Sequence, residues 1–392
     1  MNDTAKAHGL DGSLVKPDWP PLTLDEIRAL LAKIPTTGIP IEIVSSSPRP
    51  FSAACVVKTR HGNIFIKRHA RAVRDAEGLS EEHRFMQHLR ANHVETPRIF
   101  AAGSGSSAIE TGEWTYEVHE IPSGLDLYED AISWTPFQSV EHARSAGEML
   151  ARLHLAASNF NAPPRKPRQL VASFSIFASQ DARIALKQYL AARPELNQHV
   201  RVRRDCEEAL YLLAPFHDEL KPLLSSLHPL WTHNDLHASN LFWSDSSSNA
   251  RATSVIDFGL ADRTNAVYDI AQAIERNIVE WLALLHNPEH GEEVPVHLDH
   301  LWAMLDGYEQ LRPLNAVESA ALAPILALGH AEFALTEAHY FLAVLHSPEK
   351  ARVATNDYLV GHAQWFRGSG RQKLIEPLRR WAEKRQPRAV GA

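Results

Sequence analysis

The amino-acid sequence predicts an α+β protein of two lobes: a small lobe with an antiparallel β-sheet and one helix, and a larger, mostly helical lobe. Two observations support this prediction. Between residues 39 and 119, short apolar runs alternate with period two, as in half-buried strands. After a Pro/Gly break at 120–124, apolar residues recur at helical spacing. The predicted units are an arm with a packing helix at 1–38, a small lobe at 39–119 and a large lobe at 120–392.

The first part of the chain combines a polar arm with one amphipathic helix. Residues 1–20 carry Gly, Pro and Asp without any period, so we expect a flexible arm. Thr23 is a suitable N-cap, and Glu26 stands three residues later in capping-box register. The apolar face of the expected helix consists of Leu24, Ile27, Leu30 and Leu31.

The small lobe is expected to be a meander of short strands with one helix. The strands are expected at 41–44, 55–59, 64–67, 98–102 and 113–119. The helix contains Glu82, followed at helical spacing by Phe85, Met86 and Leu89, so Glu82 shares their inward face.

The large lobe reads as a series of helices without an internal repeat. These are expected at 140–157, 181–192, 202–224, 269–285, 298–310, 317–334, 335–346, 351–366 and 371–384, with interruptions at Pro194 and Pro215. The Ser-rich segment 245–249 is expected to be a hairpin turn.

The chemistry concentrates between Trp231 and Arg276. Asp235 is followed by Asn240 and then by Asp257, which opens an Asp-Phe-Gly sequence after an apolar run. This set suits phosphoryl transfer, because one carboxylate can accept or orient the proton of an attacking hydroxyl. The amide oxygen and the second carboxylate can then hold Mg²⁺ against nucleotide phosphates.

This order of residues resembles the catalytic and metal loops of the protein-kinase-like superfamily. Within it, His233-Asn234-Asp235 and the later Asp269-Ile270-Ala271 are similar to the aminoglycoside phosphotransferase and choline kinase family. The resemblance implies the two-lobed protein-kinase-like fold. Asn234 departs from the family pattern, which usually has Gly there, but Asn tolerates left-handed backbone.

The resemblance also implies an activity: ATP- and Mg²⁺-dependent phosphorylation of a hydroxyl group on a small molecule. Asp235 would be the catalytic base, and Asn240 and Asp257 the metal ligands. Asp269 and His233 are expected to be structural braces, and His237 is expected either to face the substrate or to pack.

Four further residues would bind the nucleotide by resemblance. Lys67 would hold the phosphates and pair with a helix glutamate, for which Glu82 is the preferred candidate and Glu77 and Glu81 are alternatives. At the Pro/Gly hinge, the backbone carbonyl near His119 and the N–H near Ile121 would meet the adenine edge.

The sequence does not decide whether the phosphate acceptor is an amino alcohol, a sugar, a nucleoside or an aminoglycoside. An acidic run at 126–130 is expected either to attract a cationic amine or only to pair with a helix dipole. Five aromatic residues of the large lobe are expected either to form a cation–π box or to pack in the core. They are Trp134, Trp231, Trp281, Trp302 and Tyr340.

Two other functions remain possible, a non-catalytic nucleotide-binding module and a Ser/Thr protein kinase. The absence of a Gly-rich loop and of an Ala-Pro-Glu sequence disfavours the protein kinase.

The composition of the chain restricts the binding partners and the cellular compartment that we expect. The net charge of −7 argues against a nucleic-acid partner. Cys55 and Cys206 have no metal or redox spacing, so two reduced thiols in a cytoplasmic protein are expected. No leader is recognised, and the apolar tract 320–329 is too short to span a membrane. The chain has 22 His, but no His/Cys motif with zinc-ligand spacing supports a zinc site. The oligomeric state stays open.

Overall fold

The computed structural model describes residues 18–47, 49–131, 133–281 and 294–385. Most of the predicted arm at 1–20 and the end of the helix predicted at 269–285 therefore lie outside the described residues. The predicted unit boundaries at 38 and 119 stay a prediction.

The small lobe contains a five-stranded antiparallel sheet with strand order β1-β2-β3-β5-β4. The strands are β1 (Pro40–Ser46), β2 (Ala53–Thr59), β3 (Gly62–Ala70), β4 (Ile109–Thr111) and β5 (Trp114–Glu120).

The strand predicted at 98–102 is wrong, because this segment makes only an isolated bridge between Ile99 and His119. Its backbone still follows β5, with the Phe100 N–H bonded to the Val118 carbonyl at 2.8 Å. Pro97 supplies no N–H at the start, and the chain turns at Ala102, so the ladder cannot extend.

Helix α1 (Leu24–Leu31) covers one face of this sheet. The predicted capping box is confirmed, because the Glu26 N–H donates to the Thr23 hydroxyl and the Thr23 N–H donates to the Glu26 carboxylate. The buried cluster between helix and sheet includes Ile27, Leu30, Leu31, Val57, Ile66 and Val118. This cluster closes one face, and the opposite face of the sheet carries the polar side chains of the cleft.

Helix α2 (Ala76–Ala91) lies beside the other face and joins the small lobe to the large one. Its predicted inward side is confirmed as buried, including Glu82. The Phe85 ring packs against the rings of Trp231 and Phe258 at centroid distances of 5.4 and 5.8 Å. The core of α2 is therefore continuous with that of the large lobe.

The large lobe is mostly helical, as predicted. Its α-helices are α3 (Val140–Ala157), α4 (Ala182–Ala191), α5 (Pro194–Gln198), α6 (Val200–Leu220), α7 (Ala266–Ile278), α8 (Leu298–Leu311), α9 (Ala316–Leu328), α10 (His330–Ala343), α11 (Pro348–Arg352), α12 (Gly361–Arg367) and α13 (Glu376–Glu383), with π-helical turns at Val353–Val360 and Arg371–Ile375. The interruption predicted at Pro215 is wrong, because this residue lies inside α6. The break predicted after Ala334 falls instead at Gly329.

Two short antiparallel pairs frame the predicted catalytic segment. Strand β6 (Pro229–Thr232) pairs with β9 (Asp262–Asn265), and β7 (Leu241–Trp243) pairs with β8 (Ala252–Val255). The predicted Ser-rich turn does connect β7 to β8. Pairing of β6 with β9 brings the segment before Asp235 beside the segment after Asp257.

Helices α3 and α8 pack backbone to backbone. A Cβ atom at Gly147 would overlap the Met304 carbonyl, and one at Gly307 would overlap the Arg144 carbonyl. Glycine is needed at both positions for this approach. The close packing fixes α3, which carries His154 towards the catalytic segment.

The stretch from Ala316 to Ala343 is long and apolar enough to cross a membrane, but 94% of its most apolar window is buried inside the protein. Such burial is typical of core helices. The expectation of a buried helix around 320–329 is confirmed.

Candidate active site

A buried carboxylate holds the loop that follows β6. Asp269, on the first turn of α7, accepts hydrogen bonds from the backbone N–H groups of His233 and Asn234 at 2.8 and 2.7 Å. His154 contacts the same carboxylate at 3.0 Å and Tyr308 on its other side at 2.7 Å. Burial opposes ionisation of Asp269, but His154, His233 and the backbone donors hold its pKa below the usual range. This geometry agrees with the expected role of Asp269 as a brace.

Asn234 adopts the left-handed conformation expected of it, with φ of +63°. Its side-chain oxygen accepts from Thr232 at 2.7 Å and from Thr264 at 3.2 Å, and its amide donates to the Leu260 carbonyl at 3.0 Å. The Asn side chain therefore links β6, β9 and the Asp-Phe-Gly turn, which a Gly at this position would not do.

Asp235 lies at the end of this braced loop and is held by two neighbours. The Arg276 Nε donates to Asp235 Oδ1 at 2.6 Å, and the Asn240 amide donates to the Asp235 carbonyl at 2.8 Å. Arg276 also donates to Gln272 at 2.6 Å and to Glu275 at 3.0 Å. Such charge-assisted bonds fix the orientation of the carboxylate.

Asp257 lies across the cleft floor from Asp235 and pairs with Lys67 of the small lobe. The distance from Lys67 Nζ to Asp257 Oδ2 is 3.1 Å. Partial loss of solvation in the cleft opposes the charge on both groups. Even so, their attraction lowers the pKa of Asp257 and, together with Glu117, raises that of Lys67. Asp257 also has a positive φ of 57°, so its turn is a special backbone position.

The ion pair predicted between Lys67 and Glu82 is wrong in this structure. Glu82 Oε1 is bound by Arg165 at 2.7 Å and by Arg74 at 3.2 Å. The alternative partners are also engaged by the basic loop at 163–168, with Arg165 lying 3.4 Å from Glu81 and Lys166 lying 2.8 Å from Glu77. This basic loop lies far from α2 in sequence, so no local pattern predicted its contacts.

The two predicted hinge residues lie at the end of β5. The His119 side chain is turned into the small lobe, where its Nε2 contacts Glu117 at 2.9 Å. Ile121 follows β5 and is exposed. Neither lines the main cleft, and the adenine contacts assigned to their backbones stay a prediction.

The main cleft between the lobes has a volume of about 570 Å³, within the range of small-molecule sites. Its lining brings together Lys67, Asp235, Asn240 and Asp257, together with the serines of β1 and the following turn. The sequence therefore identified four of the residues that meet at this cleft.

One end of the cleft is acidic. It is lined by Asp126, Glu129 and Asp130, and Glu337 is a further acidic residue of the cleft lining. Burial and the neighbouring Glu129 raise the pKa of Asp126 to about 6, against the opposing effect of Arg49. Burial raises the pKa of Glu337 to about 8.

His237 lines the same cleft and contacts Ser239 at 2.9 Å. Burial lowers its pKa to about 4, so the imidazole is neutral near pH 7. Its Nε2 lies 3.8 Å from Asp235 Oδ2. Of the two expectations for His237, the structure favours a side chain that faces the site.

The aromatic side chains do not form a cation–π box. Trp231 packs against Phe85. Trp281 stacks on His362 with ring centroids 3.6 Å apart, and Tyr340 is buried. Of the five aromatic residues singled out in the sequence, only Trp134 is among those that line the cleft.

Sequence reasoning missed two arginines at the site. Arg276 stands seven residues after Asp269 on α7, which places both on the same helix face, so this spacing was an available signal. Arg49 lines the cleft and donates to Ser133 at 2.8 Å and to Ser239 at 3.2 Å. It lies in an irregular turn, where no periodicity indicates a direction.

The donor groups fit a magnesium–nucleotide site. The Asn240 nitrogen is used at Asp235, which leaves its amide oxygen available, and Asp257 supplies a carboxylate. Oxygen donors of this kind are the ligands that Mg²⁺ prefers.

Comparison with known proteins shows the family. Residues 51–314 match the model of the phosphotransferase enzyme family. The homoserine kinase of Rhodospirillum rubrum is 27% identical over 273 residues, covering 69% of this chain and 71% of that protein. The homoserine kinase of Rhodopseudomonas palustris is 28% identical over 242 residues, covering 60% of this chain and 62% of that protein.

Solved structures support the fold. A microcompartment-associated aminopropanol kinase superposes with a TM-score of 0.55 at 16% identity, over 88% of this chain and 98% of that one. A putative aminoglycoside phosphotransferase from Ralstonia eutropha gives 0.53 at 13% identity, over 89% and 98%. The predicted two-lobed protein-kinase-like fold is thus confirmed. The chain belongs to the phosphotransferase enzyme family and is a kinase that acts on small molecules.

Proposed function

We propose that this protein transfers the terminal phosphate of ATP, with Mg²⁺, to a hydroxyl group of a small acceptor that also carries an ammonium group. The observation that carries the proposal is the meeting of Asp235, Asn240 and Asp257 at one cleft, with Lys67 paired to Asp257. These are the groups that phosphoryl transfer requires.

The roles follow from the contacts of each residue. Asp235, held by Arg276 and facing the cleft, accepts or orients the proton of the acceptor hydroxyl. Asn240 and Asp257 would hold Mg²⁺, which neutralises phosphate charge when bound. Lys67 exchanges its contact with Asp257 for the nucleotide phosphates. Most of the catalytic effect then comes from positioning and from charge neutralisation.

The acidic end of the cleft supports an acceptor with a positive charge. Asp126, Glu129 and Asp130 would attract an ammonium group, and Arg49 only partly offsets them. Homoserine kinases and an aminopropanol kinase are among the similar proteins, and both names describe acceptors that combine an amine with a hydroxyl. We therefore propose an amino alcohol rather than a neutral sugar.

A protein substrate is disfavoured by the short connection after the Asp-Phe-Gly sequence. Strand β9 begins at Asp262 and α7 begins at Ala266. The chain between Gly259 and Asp269 is thus used by a strand and a helix start, which leaves no segment on which a peptide could dock.

The test is ADP release from ATP and Mg²⁺ across amino alcohols, neutral sugars, nucleosides and aminoglycosides. We expect turnover with amino alcohols that have a primary or secondary hydroxyl. Asp235→Asn should lose most of that turnover, whereas Asp299→Asn, at an exposed carboxylate on α8, should retain it.

Two outcomes would contradict the proposal. ATP binding without acceptor-dependent ADP release for any compound would indicate a non-catalytic nucleotide-binding module. Full activity of Asp235→Asn would show that the base is assigned to the wrong residue. Preference for neutral sugars would overturn only the ammonium requirement.

A further inference from the structure

A cluster of three histidines and one glutamate lies inside the small lobe, outside the catalytic cleft. Its members come from three elements: His69 on β3, His83 on α2, and Glu117 and His119 on β5. All four side chains are buried. Phosphoryl transfer as described above uses none of these side chains, although Glu117 acts electrostatically on Lys67.

The ring nitrogens converge on one carboxylate. His83 Nε2 and His119 Nε2 each lie 2.9 Å from Glu117 Oε2. These three atoms are mutually within 4.8 Å, the only such group of His, Cys, Asp and Glu ligand atoms in the described ranges. Two imidazoles and a carboxylate, with one open position, form a ligand set typical of Zn²⁺.

The neighbouring contacts are those that support metal ligands. His69 Nε2 lies 2.9 Å from Glu117 Oε1, the oxygen that the other two histidines leave free. The other ring nitrogen of His83, Nδ1, lies 2.8 Å from the Ser107 hydroxyl. Metal-binding histidines and carboxylates are commonly oriented by such second contacts, which fix the tautomer and the direction of the ligand atom.

The adjustment that zinc would require between Glu117 and each histidine is small. Ligand atoms about 2.1 Å from a tetrahedral zinc ion stand about 3.4 Å apart. The observed separations of 2.9 Å from Glu117 to each histidine would therefore open by a few tenths of an ångström. Lys67 stands opposite Glu117 across β3 and β5 and disfavours a second cation nearby, but its ammonium is drawn to Asp257.

We propose that His83, His119 and Glu117 bind Zn²⁺, with His69 and Ser107 orienting the ligands. The site ties α2 to the sheet, and it shares no ligand with the magnesium site proposed in the cleft. Binding of the ion to the folded chain stabilises the small lobe.

The test uses the full chain, stripped with a chelator and then titrated with Zn²⁺ in competition with a chromophoric chelator. Elemental analysis of the loaded protein should give about one zinc per chain. Zinc should also raise the unfolding temperature, because an ion that binds only the folded chain shifts the equilibrium towards it.

Variants distinguish this site from others. His83→Gln and His119→Gln should each weaken zinc binding at least 10-fold to 100-fold, and His69→Gln should weaken it less. His228→Gln, at an exposed histidine, should bind zinc as the wild type does.

If a variant does not fold, cobalt substitution and X-ray absorption on the wild-type protein decide the question. Intense tetrahedral cobalt bands and a zinc shell with two imidazoles would support the proposal. No zinc binding by the wild type, or equal binding by wild type and folded His83→Gln, would overturn it. The cluster would then be a hydrogen-bonded network around Glu117.

Discussion

The two carboxylates of the cleft are held in different ways. Asp235 pairs with Arg276, whose side chain is only 1% exposed and is bonded to Gln272 and Glu275 as well. Asp257 pairs with Lys67, which belongs to the other lobe and makes one contact with it at 3.1 Å. The Asp257 side chain is 42% exposed. Arg276 keeps Asp235 in one orientation, whereas Lys67 is able to leave Asp257 for a phosphate. Asp235 is thus a carboxylate that must stay in one orientation, whereas Asp257 is a carboxylate that must exchange partners.

The largest expected effect separates the two carboxylates. Asp235→Asn should lower kcat about 10²-fold to 10⁴-fold and leave nucleotide affinity unchanged, because only the proton acceptor is lost. Asp257→Asn should weaken binding of the magnesium–nucleotide itself. Titration of each variant with a fluorescent ATP analogue, with and without Mg²⁺, measures the difference. Equal nucleotide affinities of the two variants would contradict the division of roles.

The next effect tests whether the orientation of Asp235 matters. Arg276→Lys keeps the positive charge but loses the planar fork that bonds Asp235 and Gln272. We expect kcat to fall by up to about 100-fold, since small displacements of a catalytic group have effects of this size. The KM for ATP should change little. The test is steady-state kinetics on a variant that circular dichroism shows to be folded. An unchanged kcat would show that Arg276 only stabilises the lobe.

A smaller effect is expected from a variant that tests whether Glu82 is the partner of Lys67. Glu82→Gln leaves Arg74 and Arg165 buried with less compensation, so the free energy of unfolding should fall by about 2–4 kcal/mol. Its KM for ATP should change less than that of Lys67→Met, which removes the amine from the cleft. Urea unfolding and initial rates on both variants provide the test. A loss of ATP affinity in Glu82→Gln as large as that in Lys67→Met would indicate that Glu82 returns to Lys67 when nucleotide binds.

The last prediction concerns Glu337, which lies near Asp235. Burial, with Glu275 and Asp235, raises its pKa to about 8 from the usual 4.5. Between these values the folded chain holds a proton that the unfolded chain has lost. Stability should therefore decrease as pH rises through this window, by at most about 1.4 kcal/mol per pH unit. Glu337→Gln should remove this slope, and Glu349→Gln, at an exposed site, should not. Urea unfolding from about pH 5 to about pH 8 would show it, and parallel pH profiles of wild type and Glu337→Gln would contradict it.

Local signals in the sequence were sufficient for much of the fold. The capping box of Thr23 and Glu26 predicted where α1 begins, because both partners lie within one helical turn. Helix α3 begins and ends at the predicted residues, Val140 and Ala157. The strand predicted at 98–102 failed because strand formation depends on a neighbour and on ladder length, which local alternation does not report.

The catalytic segment was also predictable, because its residues lie close in sequence and their order is specific. Asp235, Asn240 and Asp257 meet at one cleft, and Asn234 takes the left-handed conformation. The residues that contact them were harder to predict from the sequence. Arg276 carried a helical spacing signal from Asp269, but Arg49 carried none.

By itself, the sequence determined most of the strands and helices and the three oxygen donors of the cleft, since these depend on short-range periodicity and on residue order. Its family resemblance implied the two-lobed fold and the phosphotransferase chemistry. Only the tertiary structure decided which charges pair. It assigned Glu82 to Arg74 and Arg165, Lys67 to Asp257, and Glu117 to three histidines from three elements. The physical reason is that a buried charge must be neutralised by whichever opposite charge the packing brings within a few ångströms. Packing joins residues that the sequence leaves far apart.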